Sequence, residues 1–559
     1  MAKNKLILDY VYDHEAKLAD RVYLTQPVGD GQVMDYTWHQ TLDQSRRMAA
    51  HIKSLKLEPG ARVALLSKNC AHFMMAELAI WMAGCTTVAI FPTETAETIG
   101  YVLEHSGASM LFVGKLDSWQ AQQHGIPASI PCVAFPLAPK NDYEKWDDIV
   151  ARTSPLTGRT NRAGTDVAIL LYTSGSTGTP KGVMHSFERI STVSEYIAKD
   201  LNSRVGDVEE IRILSYLPLA HVYERSWVEF ASLVNGKTHV YFAESLDTFV
   251  ADVNRARPIV FQSVPRLWLK FQQGVFAKMP PKKLDRLLSI PILSGIVKRK
   301  ILKNLGLDQT LVAASGSAPI PAELIAWYRR LGLNLIEGYG MSEDLAYSHN
   351  STAETNAPGC VGLPLPGVQV RLSDEGEILI KSPGQLVGYY KRPDLDAEVF
   401  TADGFFHTGD RGERRGDGLL KITGRVKELF KTSKGEYVAP APIENSLNAH
   451  PLVEMSMVSG LGQPAAYAMV VLAENVRPKQ KDPAFRKEVE VEMTNLLDSV
   501  NSHLVNHEKL QMIVVNQQPW TIENGFLTPT MKIRRARIEG DVSSQVDAWY
   551  SAKGKVLWS

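Results

Sequence analysis

The sequence predicts an α/β protein: a large N-terminal domain of mixed and parallel sheets packed with helices, a β-rich subdomain, and a small α+β C-terminal domain. Two observations carry that expectation. Short apolar runs alternate with helical segments through most of the chain, the pattern of strands covered on both faces. The texture then changes twice, near Gly362 and again past Gly424.

The runs come in a regular order. RVALL (62–66) follows the Pro59-Gly60 turn, and a helical pattern over His72–Met82 leads into TTVAIF (86–91). SMLFVG (109–114), VAILLYTS (167–174), RILSYLPL (212–219), THVYFA (238–243) and IVFQSVP (259–265) repeat the rhythm. From about Gly362, VQVRLSDEGEILIKSPGQLVGYY alternates short strands with DEG and SPG turns, as a small antiparallel unit does. Past Gly424, VKELFKTSKGEYVAPAPIENSL reads as a hairpin entering a helix, followed by the strands MSMVSG and AAYAMVVLAE and an amphipathic helix near Phe485–Val505. The expected division is 1–425 and 426–559, with the β-rich subdomain beginning near 362.

Composition narrows the class. With 559 residues, 44% of them hydrophobic and 22% charged, the chain can fill more than one core. A formal net charge of zero supplies no global attraction for nucleic acid, so none is expected as a partner. Cys70, Cys85, Cys132 and Cys360 lie far apart with no CxxC pair, which suits reduced thiols and argues against a zinc cluster or disulfide framework. Met1–Asp20 carries charges throughout and lacks the apolar core of a signal peptide. The apolar stretch Phe73–Phe91 is broken by Glu77 and Gly84, so it reads as a buried helix running into a strand and not as a membrane span. A cytoplasmic protein is expected, with peripheral membrane contact and oligomerisation left open. The KRKILK run (298–303), with Lys282 and Lys283 upstream, reads as a solvated helix face; contact with an anionic lipid or phosphate is the alternative.

The strongest local signal is YTSGSTGTPKG (172–182), directly after the apolar run VAILL. Glycines let backbone N–H groups converge on an anion, hydroxyls add donors, and Lys181 adds charge, so the loop suits a polyphosphate. A flexible linker of the same composition is the bland alternative, but linkers do not sit between a buried strand and further ordered chain. It is no Walker A loop, because Lys181 stands between Pro180 and Gly182. Gly338-Tyr-Gly340 lacks the third glycine of a dinucleotide fingerprint.

Further motifs follow in order: LPLAHVYERS (217–226), ASGSAPI (314–320), EGYGMSE (337–343), FFHTGDRGE (405–413), ITGRVKELFKTSKGEYVAPAPIE (422–444) and LTPTMKIRR (527–535). With the phosphate loop, these seven resemble the motifs of the adenylate-forming, AMP-binding superfamily, over nearly the whole chain. PLAHVYER, KGEYVAPAPIEN and LTPTMKIRR are closest in spelling to its long-chain acyl-CoA synthetases.

The resemblance implies roles that residue chemistry can carry. Thr173, Ser174, Gly175, Ser176, Thr177, Gly178 and Lys181 would hold the phosphates of ATP. Gly316, Ser317, Ala318 and Pro319 would wall the nucleotide, with Glu337, Gly338, Tyr339, Gly340, Met341 and Ser342 completing the pocket and Tyr339 stacking on adenine. Ser342 stands where the family usually has threonine. Asp410 would accept from both ribose hydroxyls, and Arg425 is the second ribose contact. Glu343 and Thr173 would hold Mg²⁺ by oxygen. Lys532 would bridge the attacking carboxylate and the α-phosphate, lowering a barrier that is largely electrostatic. His221 would lie beside the acyl carboxylate, with Arg225 and Trp227 lining the acyl pocket; packing is the plainer reading of all three. Lys427 is the hinge by position, about which a mobile C-terminal domain turns. Lys434, Gly435 and Glu436 would then face coenzyme A.

The expected function is an ATP-dependent ligase that converts a long-chain fatty acid to acyl-AMP and then to acyl-CoA, with Mg²⁺ as cofactor and coenzyme A as cosubstrate. One alternative is a fatty acyl-AMP ligase delivering to a carrier protein; another is a ligase for a medium-chain or aryl acid. A non-catalytic nucleotide-binding protein on the same fold predicts loss of a key residue, yet Lys181, Glu343, Asp410, Arg425 and Lys532 are all present.

Overall fold

A computed structural model describes residues 5–174, 179–357 and 359–559. Over these residues the N-terminal domain is built on two large sheets, of nine and eight strands. In the first, Ile211–Ser215, Thr238–Phe242, Val260–Ser263, Val312–Ser315 and Leu335–Tyr339 run parallel. In the second, Arg62–Leu66, Thr86–Ile90, Ala108–Val113 and Val167–Ser174 run parallel, and Pro180–Ser186 turns back antiparallel beside the last of them.

The helix Ala71–Met82 explains how the sheets come together. It is apolar all round except for His72 and Glu77, and all of its residues are buried. Such a helix needs cover on every side, and it packs against Val22–Gly29 of one sheet and Thr86–Ile90 of the other. The expected helix-to-strand reading of 73–91 therefore holds. Most expected strands also form within a residue or two of their expected ends. RILSYLPL is the exception, since its strand stops at Ser215. The Tyr216 amide donates to the Glu224 carboxylate at 3.1 Å instead of to a neighbouring strand, and Pro218 has no N–H to donate.

From Gln369 onward the expected antiparallel texture is realised as a four-stranded sheet of Gln369–Leu372, Glu377–Lys381, Phe406–Arg414 and Leu420–Arg425. The smaller C-terminal domain has its own sheet, in which Val453–Ser459 and Ala466–Leu472 pair antiparallel and Leu510–Asn516 and Val556–Trp558 add in parallel. The helix Pro483–Ser502 buries Val489, Met493, Leu496, Leu497 and Val500 against one face of that sheet. No helix among the described residues is long and apolar enough to cross a membrane.

One ion cluster lies deep in the core. Arg225 is fully buried and donates to Glu77 at 2.8 Å, with Glu229 at 4.0 Å. The expected acyl-pocket role places Arg225 at a cleft; the structure instead encloses it between Phe73 and Phe230, as counter-ion to the acid of the buried helix. Burial and the neighbouring Glu77 hold the Glu229 carboxyl well above the usual carboxylate range, so it is kept as the neutral acid. Removing Arg225 leaves Glu77 buried without a counter-ion. Arg225→Met is expected to destabilise the protein by about 3–5 kcal/mol in urea unfolding, and Arg225→Met with Glu77→Leu to recover most of the loss. Equal instability of the single and double variants would show that packing, not charge, sets the cost.

Candidate active site

The two strands that carry the phosphate-loop motif form a hairpin. Val167–Ser174 pairs with Pro180–Ser186 so that Thr173 lies opposite Lys181. Gly175, Ser176, Thr177 and Gly178 lie outside the described residues. The hairpin base is tied to the GYG motif by His185, whose Nε2 donates to the Ser342 carbonyl at 2.7 Å. Burial pushes the His185 ring down to about 4, so it is a fixed neutral donor.

The strand Leu335–Tyr339 ends in the tight turn Gly340–Asp344. A Cβ on Gly340 would come within 2.6 Å of the Ala346 backbone, so only glycine lets the chain turn this closely. Asp344 holds the turn from inside, accepting from the amides of Met341 at 2.8 Å and Tyr347 at 3.2 Å. Burial pushes its carboxyl up to about 7. The turn presents Glu343, whose carboxylate accepts from the Tyr389 hydroxyl at 2.8 Å. The Lys181 ammonium lies 5.7 Å from the centre of the same Tyr389 ring. Tyr389 thus connects the phosphate-loop lysine to the acid expected to hold a cation, a role no motif announced.

Ser317 adopts φ +68°, a left-handed conformation that non-glycine residues adopt mainly where surrounding structure imposes it. The loop Gly316–Pro319 is anchored just beyond, where the Ile320 amide donates to Glu337 at 3.4 Å. Burial raises the Glu337 carboxyl to about 8, and among the described residues its Oε2 has no partner. Gly338 and Met341 lie in the same strand and turn, between the loop and Glu343.

Asp410 and Arg425 sit opposite each other in the four-stranded sheet. Arg425 Nε donates to Asp410 Oδ1 at 2.9 Å and the Tyr339 hydroxyl donates to Oδ2 at 2.7 Å. The carboxylate therefore joins the nine-stranded sheet to the last strand before the C-terminal domain, and each oxygen keeps a lone pair for a further donor.

His221 caps the short helix Val222–Glu224, its Nδ1 accepting from the Tyr223 amide at 3.2 Å. That bond leaves the proton on Nε2. Burial, with the positive charge of Lys532 adding to it, pushes the ring down to about 3, so His221 is a neutral donor. Trp227 is buried, donates from Nε1 to the Ala346 carbonyl at 3.0 Å, and lines a small interior cavity with Val260, Ala314 and Ile336.

Lys532 reaches this cleft from the C-terminal domain. Its loop is closed by bonds from the Thr528 amide to the Lys532 carbonyl at 2.8 Å and from the Lys532 amide to Thr528 Oγ1 at 3.1 Å. Enclosure between the two domains lowers its ammonium pKa and Arg425 adds to the shift, while Asp410, Glu428 and Glu343 oppose it. The side chain nevertheless remains open to solvent within the cleft. Lys532 is thereby brought within electrostatic reach of Asp410, Glu343 and His221 together.

Ion pairs cross between the domains and brace the C-terminal one internally. Glu454 of the C-terminal sheet is shared by Arg266 of the N-terminal domain and Arg477 of its own. Arg535, just after the lysine loop, is bidentate to Glu444 at 2.7 and 3.0 Å. Lys427 lies in the short turn Val426–Glu428 that links the sheets. Lys434, Gly435 and Glu436 form the exposed tip of the hairpin Phe430–Lys431/Tyr437–Val438, with Gly435 at φ +87°. The amide of Ser433 bonds to Gln463 at 2.9 Å, so this tip is braced within the C-terminal domain, not at the Lys532 cleft.

No group of three or more His, Cys, Asp or Glu residues among the described ones is placed to cage a metal. Mg²⁺ fits nonetheless, because it is commonly held by one or two carboxylates together with substrate phosphates. Glu343 spends only one oxygen on Tyr389 and faces the phosphate-loop side.

Residues 12–390 match the AMP-binding enzyme family, and residues 428–554 match the AMP-binding enzyme C-terminal domain. A long-chain-fatty-acid–CoA ligase of Mycobacterium bovis is 30% identical over 97% of this chain and 96% of its own. Long chain acyl-CoA synthetase 2 of Arabidopsis thaliana is 28% identical over 97% of this chain and 90% of its own. The A domain of carboxylic acid reductase from Segniliparus rugosus, solved with AMP and a co-purified carboxylic acid, matches with a TM-score of 0.80. That match covers 98% of this chain and 94% of that one at 22% identity, and it speaks for the fold alone. With both of its domains matched and a full-length relative at 30% identity, the chain belongs to the AMP-binding enzymes, the family of adenylate-forming ligases.

Proposed function

We propose that the enzyme activates a long-chain fatty acid with ATP and passes the acyl group to coenzyme A. The observation that carries this reading is the Asp410 carboxylate held between Tyr339 and Arg425 at the domain junction, with the Lys532 charge close enough to be felt there. Long-chain preference draws its support from the two named relatives and from the spelling of the motifs.

In the first step the fatty-acid carboxylate attacks the α-phosphorus of ATP, an acyl–phosphate bond forms, and pyrophosphate leaves. Two anions must approach, so Lys532 between them supplies the largest electrostatic help. Asp410 and Arg425 fix the ribose, Tyr339 and the Gly316–Pro319 loop hold the adenine, and Thr173 and Lys181 hold the phosphates. Glu343 and Thr173 would hold Mg²⁺, which when bound neutralises phosphate charge. His221 donates from Nε2 toward the acyl carboxylate and stays neutral throughout. In the second step the C-terminal domain turns about Lys427, at a boundary of 425/426, and withdraws Lys532. Lys434, Gly435 and Glu436 then line the path by which the coenzyme A thiol reaches the acyl carbon; the thioester forms and AMP leaves.

Lys532→Ala is expected to slow pyrophosphate release by roughly 100-fold or more. It should largely spare thioester formation from pre-made acyl-AMP; equal loss of both steps would refute the assignment, and acyl-AMP that persists in the presence of coenzyme A would point to a carrier-protein acceptor. Arg266→Ala removes the bond that Glu454 makes across the domains while leaving it its Arg477 partner. It should slow adenylation about fivefold, the value of roughly 1 kcal/mol of lost ion pair, without slowing the thiol step. Because burial pushes the His221 ring down to about 3, His221→Asn should lower the adenylation rate without moving the profile between about pH 6 and 8; a shifted acid limb would show that the ring titrates there.

A further inference from the structure

The helices Pro281–Leu288 and Pro291–Asn304 form a hairpin on the surface of the N-terminal domain. Its base is anchored in the core by Leu284 and Ile301, which are buried beside Trp268 and Tyr328. Its tip is not. Ile290, Ile292, Leu293 and Ile296 are all exposed, Ile292 at 82% and Ile296 at 61%. No other seven-residue stretch among the described residues exposes four large apolar side chains.

Helical phase accounts for the second helix. At about 100° per residue, Val297 and Ile301 turn inward, while Ile292, Ile296, Arg299, Lys300 and Lys303 share the outer face. That face is therefore divided along its length, apolar at the tip and cationic toward the base. The first helix adds Lys282, Lys283 and Arg286. Asp285 is the one acidic residue of the hairpin, and its carboxylate is paired with Arg330 at 2.9 Å. The whole chain carries no net charge, so this concentration of cations is local.

We propose that this hairpin docks the enzyme on an anionic membrane surface, with Ile292, Leu293 and Ile296 entering the acyl-chain boundary and the basic residues behind them meeting lipid phosphates. Apolar side chains at the point, backed by cations, are the arrangement that binds in the interface plane without spanning it. The residue order fits a lipid surface better than a soluble anion, which would need no exposed isoleucines. The inference does not depend on which acid the enzyme activates.

Flotation with vesicles tests it, using the full-length enzyme and either phosphatidylcholine alone or phosphatidylcholine mixed with phosphatidylglycerol. The enzyme is expected to float with the mixed vesicles, to bind neutral ones far less, and to be released at about 0.5 M salt. Ile292→Asp with Ile296→Asp, and separately Arg299→Glu with Lys303→Glu, should each weaken flotation roughly tenfold or more. Melting temperature and vesicle-free activity on a water-soluble acid should stay unchanged. Flotation of both variants like the parent enzyme would overturn the proposal. So would a parent enzyme that ignores anionic vesicles but forms a dimer that the isoleucine variant abolishes in sedimentation velocity, since a second copy would then be the occupant.

Discussion

The carboxylate of Asp410 is the point through which the two halves of the reaction chamber are joined. One oxygen is held by Tyr339, from the end of the nine-stranded sheet, and the other by Arg425, at the end of the four-stranded sheet. Arg425 is also the last strand residue before the turn into the C-terminal domain. A group binding at Asp410 would therefore meet Tyr339 and the domain junction at once. Lys532 carries its charge close enough to this junction to be influenced by Asp410 and Arg425.

Burial sorts the acids around this chamber. Glu337 and Glu224 are each pushed up to about 8 and Asp344 to about 7. These groups act as hydrogen-bonding frame: Asp344 shapes the turn that presents Glu343, and Glu224 gathers the hydroxyl of Ser215 and the amide of Tyr216 beneath His221. Burial favours the protonated form of Glu337 and Glu224, and an acid kept protonated would add no repulsion to an anion bound nearby. His221 and His185 follow the same logic in reverse, each held as a neutral N–H donor whose orientation is fixed by its backbone partner.

What could be read from the residues alone follows the range of the interactions involved. Strands such as Val167–Ser174 and Thr238–Phe242 announce themselves because burial on both faces makes them continuous apolar runs. Asp410, Arg425, Tyr339 and Glu343, each read from a short motif, are brought to one region by contacts that the motifs do not spell out. Tyr389 and the Arg266–Glu454 contact were not legible, since each joins segments far apart in the chain and neither has a local pattern. Arg225 shows the opposite error. It stands four residues from His221, yet in ERSWVEFASLV it is set with Glu224 and Glu229 among apolar residues, and Glu77 interrupts AHFMMAELAIWM. Charges set inside two otherwise apolar segments, Glu77 in one and Arg225 with Glu229 in the other, were the available sign of an internal pair.

The sharing of Glu454 has a kinetic meaning. Were Arg266 its sole partner, parting the domains would strand a carboxylate and raise the barrier to movement. Because Arg477 travels with Glu454 on the same domain, departure exchanges a two-cation embrace for a one-cation one, and the acid never goes unescorted. If the C-terminal domain turns as proposed, this fastening is one that can be released without leaving the Glu454 charge unpaired.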